Sequence, residues 1–241
     1  MTTFVLVPGA WLGGWAWRKV TPSLIEKSSE VYPVTLTGIG DRIHLTSDKV
    51  DLDTAIQDVL NVIRYNDLKE VVLVGHSFAG KVVAAVADRV PEKVGTLVYL
   101  DAFRPLKVKT PQGGFADEFP VEGSVVPFPE KILEYVGKDV QGLDREWLLA
   151  KSTSLPIRYF RDAITLTGNI DSVRKAYIFC KDGGDDVDQM LKETGPFKDY
   201  KIEGPYRVID SGHWPMITKP RELAEDLLAL SKVSRPPLQV S

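Results

Sequence analysis

The chain alternates short apolar runs with longer amphipathic segments along most of its length. Six runs of aliphatic or aromatic residues predict strands, at residues 4–7, 31–36, 71–74, 96–100, 176–180 and 206–210. Helical patterns lie between or after these runs, at residues 17–27, 52–65, 78–90, 187–194 and 219–231. Strands that alternate with helices in this way predict an α/β fold, with a mostly parallel sheet covered by helices on both faces.

The alternation stops between residues 104 and 172, where no strand run occurs. This segment instead contains amphipathic pieces at residues 129–136, 143–151 and 156–166. We expect residues 1–103 and 173–241 to form the core and residues 104–172 to form a helical cap over the carboxyl edge of the strands. Open α/β sheets bind ligands at that edge, so the cap should border the site.

The segment VVLVGHSFAGKVV, residues 71–83, joins an apolar strand to a helix that is apolar nearly all round. Gly75 and Ala79 lie two positions on either side of Ser77, where small residues relieve the crowding of a sharp strand-to-helix turn. The pattern is a relaxed G-x-S-x-G nucleophile elbow, because Ala79 replaces the second glycine. The flanking strand and helix make the pattern specific, and we predict that Ser77 is a nucleophile.

A serine hydroxyl needs a base that takes its proton, and the chain has His44, His76 and His213 for this role. His213 follows the last strand run and comes after the nucleophile in chain order, as the base of a sheet hydrolase does. His76 is adjacent to Ser77 and is expected to pack structurally. His44 lies in a loop after the second strand, where it lines the entrance or has no role. The predicted base is His213.

Four aspartates that follow the strand run at residues 176–180 are candidates for the acid that orients the base. They are Asp182, Asp185, Asp186 and Asp188. Asp185 is favoured, because two glycines supply a turn before it and a helical pattern follows it. The other three are expected to cap that helix or to remain solvated. Asp101 is an alternative, because it ends an earlier strand at the same edge of the sheet.

An acyl-transfer intermediate needs backbone N–H donors that are placed in advance. The amide of Phe78, directly after the nucleophile, is one predicted donor of this oxyanion hole, and the amide of Ala10 is the other. Ala10 lies in a glycine-rich loop after the first strand, in which Gly9 lets the backbone approach the substrate. Substrate contacts are further expected from Trp11, Trp147 and Trp214, although a helical tryptophan such as Trp147 fits core packing equally well.

Composition and charge narrow the partners of the chain. A net charge of −3 over 241 residues, with no basic stripe, argues against nucleic acid and anionic membranes, and no apolar run is long enough to span a bilayer. The single cysteine, Cys180, excludes an internal disulfide, and a strand begins too early for a signal peptide, so we expect a cytoplasmic protein. No metal-ligand cluster or cofactor motif is present, and a monomer and a homodimer both fit the sequence.

Five segments together resemble the short α/β-hydrolases that include plant methylesterases, hydroxynitrile lyases and bacterial carboxylesterases. They are FVLVPGAWLGGWAW, TLTGIGDR, VVLVGHSFAGKVV, YLDAF and SGHWPM. The last two look closest to bacterial esterases, including those that hydrolyse pyrethroids and other hydrophobic esters. In this family the acid commonly lies 28 residues before the histidine, a spacing that matches Asp185 and His213.

Departures from the family pattern bear on the substrate. The family usually has a histidine at Pro8 and Cys-His at Trp11-Leu12, so the mouth of this site should be more apolar. Lyases of the family are similar to each other in a threonine and a lysine that stand where this chain has Gly9 and Trp214, which favours a hydrolase.

The resemblance and the triad together predict a serine carboxylesterase that acts on small-molecule apolar or aromatic esters through an acyl-enzyme. The main alternative is a lactonase of the N-acyl homoserine lactone type, because a lactone is a cyclic ester cleaved by the same steps. A ligand receptor and a cofactor-free oxygenase on the same scaffold are further alternatives, because a fold alone does not fix a function.

Overall fold

The computed structural model describes residues 1–102, 105, 119–181 and 202–232. The strands in this part of the chain are β1 (Thr3–Val7), β2 (Glu30–Pro33), β3 (Val71–His76), β4 (Val94–Leu100), β5 (Val125–Val126), β6 (Leu155–Pro156), β7 (Lys175–Cys180) and β8 (Tyr206–Ile209). The helices are α1 (Thr21–Glu26), α2 (Leu52–Tyr65), α3 (Ala79–Arg89), α4 (Leu133–Val136), α5 (Gly142–Lys151), α6 (Arg158–Arg161), α7 (Pro215–Thr218) and α8 (Pro220–Ser231).

Six of these strands form one sheet in the order β2-β1-β3-β4-β7-β8, and every neighbouring pair is parallel. The register pairs His76 at the end of β3 with Leu100 at the end of β4, and Cys180 at the end of β7 with Ile209 at the end of β8. The loops that follow these four strands therefore open at one edge of the sheet. The predicted parallel α/β sheet is confirmed, and each of the six strand runs lies within or beside an observed strand.

Side chains along each strand alternate between the two faces of the sheet, and helices cover the apolar side chains on both faces. On β1, Val5 and Val7 belong to the buried cluster that includes residues of α2 and α3. Phe4 and Leu6 belong to a second cluster, which includes residues of α1 and α8. Burial on both faces explains why the central strands are almost entirely apolar in sequence.

Residues 104–172, which show no strand run in the sequence, contain a short two-stranded sheet in addition to helices. Within the described part of this segment, β5 and β6 pair antiparallel, with Val125 opposite Pro156 and Val126 opposite Leu155. Strands of two residues are too short to produce a recognisable period in the sequence. The three amphipathic pieces overlap α4, α5 and α6, although α6 spans only Arg158–Arg161.

Two of the predicted helices have a different outcome from the other patterns. The pattern at residues 17–27 is divided into a 3-10 helix, Gly14–Lys19, and α1. The helix predicted at residues 187–194 lies outside the described residues.

Among the residues that the structure describes, no helix is long and apolar enough to cross a membrane.

Candidate active site

Ser77 occupies a sharp turn between β3 and α3. Its φ of 57° lies in the left-handed region that residues other than glycine rarely adopt, and such strain is typical of a nucleophile elbow. A β-carbon at Gly75 would collide with the side chain of Val83 and would lie 2.9 Å from the carbonyl oxygen of Ala79, so α3 packs directly against the end of the strand. The structure thus has the strand–turn–helix geometry that the sequence pattern predicts.

His213 lies after β8, and its ring is held by a carboxylate. Its Nδ1 atom is 2.5 Å from Oδ2 of Asp101, and the two side chains are only 19% and 13% exposed. Asp101 follows β4 directly, and its backbone N–H donates to the carbonyl oxygen of Ile178 on β7 at 2.8 Å. A carboxylate only accepts hydrogen bonds, so Nδ1 carries the proton and Nε2 is left free to act as a base.

Among the described residues, the carboxylate that contacts His213 belongs to Asp101, the alternative acid named from the sequence. Asp182, Asp185, Asp186 and Asp188 all lie outside the described residues. The single N–H at Nδ1 of His213 already has an acceptor in Asp101. The sequence could not distinguish the two, because β4 and β7 are neighbours that end at the same edge of the sheet.

His76 lies behind the base and contacts it. Its Nε2 atom is 2.7 Å from the backbone oxygen of His213, and because a carbonyl only accepts, Nε2 donates this bond. Burial, and then the neighbouring His213 ring, hold the pKa of His76 well below its usual range, so the ring is neutral. The two rings lie 4.5 Å apart, which fits the expected structural role of His76. His44, in contrast, is exposed in a 3-10 helix, Gly40–Leu45.

The loop after β1 passes directly against the nucleophile. A β-carbon at Gly9 would lie 2.5 Å from Nδ1 of His76 and 3.1 Å from the β-carbon of Ser77, so only glycine fits there without displacement. The N–H of Leu12 donates to the carbonyl oxygen of Gly9 at 3.3 Å and closes a turn around Ala10 and the residue after it. The structure thus places Gly9, directly before the predicted donor Ala10, against Ser77, and the second predicted donor, Phe78, follows Ser77 in the chain.

An aromatic cluster joins this loop to the cap segment. Its members are Trp11, Phe78, Phe119, Phe128, Tyr159 and Phe160. Trp11 meets the rings of Phe119, Phe128 and Phe160 edge-on at 5.3 to 5.7 Å. Phe78, next to the nucleophile, lies 6.0 Å from both Tyr159 and Phe160. Sequence analysis missed the four cap residues of this cluster, because only their aromatic character marks them and no period aligns them with the site.

Trp11 is fixed to the cap by two hydrogen bonds. Its indole N–H donates to the carbonyl oxygen of Val126 on β5 at 3.1 Å. Its own carbonyl oxygen accepts from the N–H of Thr153, just before β6, at 3.0 Å. With a φ of 66° and an exposure of only 3%, Trp11 is a rigid contact between the loop that carries Ala10 and the cap.

The other two predicted substrate contacts lie in packed surroundings. Trp147 meets Trp15 edge-on at 5.0 Å, and the Lys19 ammonium lies 5.6 Å from a Trp147 ring centre, so Trp147 fits the core-packing alternative. Trp214 is 2% exposed and belongs to the buried cluster on the α1 and α8 face. Its ring centre lies 5.3 Å from that of His213, so it packs against the base.

Comparisons with known proteins agree with this geometry. A family model described as the alpha/beta hydrolase family matches residues 4–226. The carbendazim hydrolyzing esterase of Nocardioides sp. (strain SG-4G) is 32% identical over 95% of this chain and 100% of its own length. Methylesterase 2 of Arabidopsis thaliana is 29% identical over 95% of both chains.

A solved structure supports the same fold assignment. The extracellular alpha/beta-hydrolase of a Paenibacillus species superposes with a TM-score of 0.78 over 97% of this chain and 100% of that one, at 21% identity. The likeness is one of fold, and it agrees with the family match and with the resemblance inferred from the sequence motifs. The chain belongs to the alpha/beta hydrolase family, in its methylesterase-like group of carboxylic ester hydrolases.

Proposed function

We propose that this protein is a serine carboxylesterase in which Ser77 is the nucleophile, His213 the base and Asp101 the acid. The observation that carries the proposal is the 2.5 Å contact between His213 and Asp101 at the sheet edge where the strained turn at Ser77 is located. A base whose tautomer is fixed by a carboxylate, at the same sheet edge as an elbow serine, is the arrangement that activates a hydroxyl for acyl transfer.

The reaction then follows from proton positions. Oγ of Ser77 attacks the ester carbonyl carbon while Nε2 of His213 takes the hydroxyl proton, and Asp101 stabilises the imidazolium that forms. The same proton passes to the leaving alkoxide, which departs as the alcohol and leaves an acyl-enzyme. Water attacks this intermediate with His213 again as the base, and the carboxylic acid is released as Ser77 regains its proton. These steps transfer only protons and an acyl group, so they require no cofactor.

The negative oxygen of each tetrahedral intermediate needs donors that do not have to reorganise. The N–H groups of Ala10 and Phe78 are the proposed donors, because their backbones flank Ser77 in the loop after β1 and at the start of α3. The left-handed conformation of Trp11 and its two hydrogen bonds to the cap hold the Ala10 segment rigid. Rigidity is the property that gives such donors their catalytic value.

The substrate class follows from the aromatic cluster and from the names of the relatives. The rings of Trp11, Phe78 and Phe160 pack against one another near the turn at Ser77, and these apolar surroundings favour an aromatic or otherwise apolar acyl group. The relatives include a carbendazim hydrolyzing esterase and several methylesterases. We therefore propose methyl and other small-alcohol esters of aromatic acids as the substrates.

A substrate panel tests the proposal. Methyl esters of aromatic acids, p-nitrophenyl esters of increasing acyl length and N-acyl homoserine lactones would be assayed side by side, with Ser77→Ala as the blank. We expect kcat/KM for the best aryl methyl ester to exceed that for the best lactone by about tenfold or more, since an aromatic pocket discriminates by ring burial. A preference for lactones would support the lactonase alternative, and no ester turnover would refute the proposal.

A further inference from the structure

The cap segment between α4 and α5 holds the loop that carries the base. Oδ2 of Asp139 accepts from the backbone N–H of Gly212 at 2.9 Å and from the hydroxyl of Ser211 at 3.1 Å. The N–H of His213 itself donates to the carbonyl oxygen of Val136 at 2.7 Å. Three consecutive residues that end at the base are therefore bonded to a four-residue stretch of the cap.

Packing at Gly212 makes this contact tight. A β-carbon at Gly212 would collide with Oδ1 of Asp139 and would lie 2.7 Å from the carbonyl oxygen of Val136. Oδ1 of Asp139 is enclosed and has no hydrogen-bond partner among the described residues. A half-buried carboxylate with one enclosed oxygen is costly to keep, which argues that the contact has a use beyond cap packing.

We propose that Asp139 is a positioning residue for catalysis, which fixes His213 through the backbone of Gly212 and the hydroxyl of Ser211. This inference rests on the proposed esterase function, because it assigns to His213 the role of base. Asp101 fixes the ring at Nδ1. Asp139 fixes the backbone from which the ring projects, so the two carboxylates together restrict both the location and the rotation of the imidazole.

The expected effect follows from the sensitivity of proton transfer to distance. A displacement of about 1 Å in a catalytic group can lower the rate by about a hundredfold. Removal of the Asp139 carboxylate takes one hydrogen bond from each of the two residues before His213, whereas the aromatic cluster near Ser77 is left in place. The loss should therefore appear in kcat and leave KM nearly unchanged, since ground-state binding does not depend on the position of the base.

The decisive pair of variants is Asp139→Ala and Asp139→Asn. We expect Asp139→Ala to lower kcat by about 10- to 100-fold, with KM within about twofold of wild type. Asp139→Asn keeps an oxygen that can accept from Gly212 and Ser211, so its kcat should lie within about threefold of wild type. An alanine variant with wild-type kcat, or an asparagine variant as slow as the alanine variant, would overturn the proposal.

A spectroscopic measurement separates positioning from loss of structure. The low-field proton resonance of the His213 Nδ1–H reports its hydrogen bond with Asp101 without any turnover. In Asp139→Ala this resonance should shift or broaden, and in Asp139→Asn it should stay in place. An unchanged resonance in the alanine variant would show that Asp139 does not hold the base.

Asp144→Ala is the matched control in the cap. Asp144 lies on α5 and forms an ion pair with Lys19 at 2.5 Å, so its removal also breaks a cap–core contact, but one away from the His213 loop. We expect its kcat to stay within about twofold of wild type, since a partly exposed ion pair contributes little. An equal loss in Asp144→Ala and Asp139→Ala would mean that any cap contact matters equally, which would contradict a specific role for Asp139.

Gly212→Ala reaches the same displacement by a different route. The added methyl group pushes the loop away from Asp139 and Val136 but removes no polar or charged group. The expected fall in kcat would therefore come from displacement of the loop alone. Wild-type protein without ester turnover would refute the proposed function itself. Active wild-type protein with fully active Asp139→Ala and Gly212→Ala variants would refute only the role of Asp139.

Discussion

Asp101 and His213 stand 112 positions apart in the chain, and their side chains meet at 2.5 Å because β4 and β8 end at the same edge of one parallel sheet. The φ of Asp101 is 41°, so the chain turns sharply as it leaves β4. Its second oxygen, Oδ1, lies 3.4 Å from the backbone N–H of Cys180 at the end of β7. The carboxylate is thus supported by the neighbouring strand while it holds the imidazole.

Asp101→Asn tests whether this carboxylate is the acid of the triad. The substitution keeps the size of the side chain but offers an amide in place of the charge, so the imidazole is no longer held in the required tautomer. We expect kcat/KM for esters to fall by about 10³- to 10⁴-fold. Asp185→Asn is the control and should lower kcat/KM by less than about tenfold. If Asp185→Asn were the crippled variant and Asp101→Asn stayed active, the acid would come from the loop after β7.

Ser77→Ala tests the nucleophile. Because the triad acts as a unit, kcat should fall by about 10³- to 10⁶-fold while the unfolding transition stays that of the wild type. An alkyl fluorophosphonate should attach one phosphonyl group to each wild-type molecule, which mass spectrometry detects. Peptide mapping should place this group on Ser77. Labelling of Ser77→Ala to the same extent, or retention of more than a tenth of the activity, would contradict the assignment.

Gly9→Ala tests the loop that carries the proposed oxyanion donor Ala10. The added methyl group would stand 2.5 Å from His76 and 3.1 Å from Ser77, so the loop must move away from the nucleophile. Loss of one oxyanion donor costs about 10²- to 10³-fold in kcat, and we expect a loss of this size. Steady-state kinetics on the best ester measures it, and kcat within about threefold of wild type would argue that the second donor lies elsewhere.

Features set by local patterns could be predicted from the sequence, whereas features set by long-range contacts could not. The apolar run at residues 71–74, and small residues around Ser77, determine a buried strand and a sharp turn within a few positions of each other. His213 follows from its place after the last strand run. The acid could not be chosen, because β4 and β7 end at the same edge of the sheet and no local pattern tells which of the two following loops contacts the base.

The cap illustrates the same limit more strongly. Its two strands span two residues each, and Trp11 is bonded to Val126 across 115 positions of sequence. The link from Asp139 to Ser211 and Gly212 likewise joins residues that no spacing or motif relates. Such contacts depend on how the cap packs against the core, and no local pattern in the sequence encodes that packing.

Trp11→Phe tests whether the aromatic cluster selects the substrate. The variant keeps an aromatic ring but loses the N–H that donates to the carbonyl oxygen of Val126. A buried acceptor left without its donor costs about 1–3 kcal/mol, and β5 should loosen next to the cluster. We expect kcat/KM to fall for methyl acetate as well, because this hydrogen bond also helps to hold the Ala10 loop, and to fall about fivefold or more further for aryl methyl esters. Equal losses for both substrates would mean that the cluster does not contact the acyl group.

Lys81 gives a prediction about stability and pH. It lies on α3 with 5% exposure, and its ammonium group donates to the carbonyl oxygens of Phe160 at 3.0 Å and Asp162 at 3.2 Å. Burial lowers the pKa of Lys81 to about 8, against the opposing attraction of Asp162. The unfolded chain therefore binds this proton more tightly than the folded protein does, with a pKa of about 10.4. Between these two pKa values, the contribution of Lys81 to the free energy of unfolding rises with pH. Below about pH 8, Lys81 is charged in the folded protein, and the cost of burying that charge is present in full.

Lys81→Met isolates this contribution, because it keeps the length of the side chain and removes the titrating group. From pH 7.5 to pH 10, the unfolding free energy of the wild type should rise relative to that of Lys81→Met by about 2–3 kcal/mol. Urea denaturation of both proteins across this range measures the difference. If the unfolding free energy of the wild type, relative to that of Lys81→Met, stayed constant or decreased with rising pH, Lys81 would keep its proton in the folded protein. The two carbonyl oxygens and Asp162 would then hold that proton.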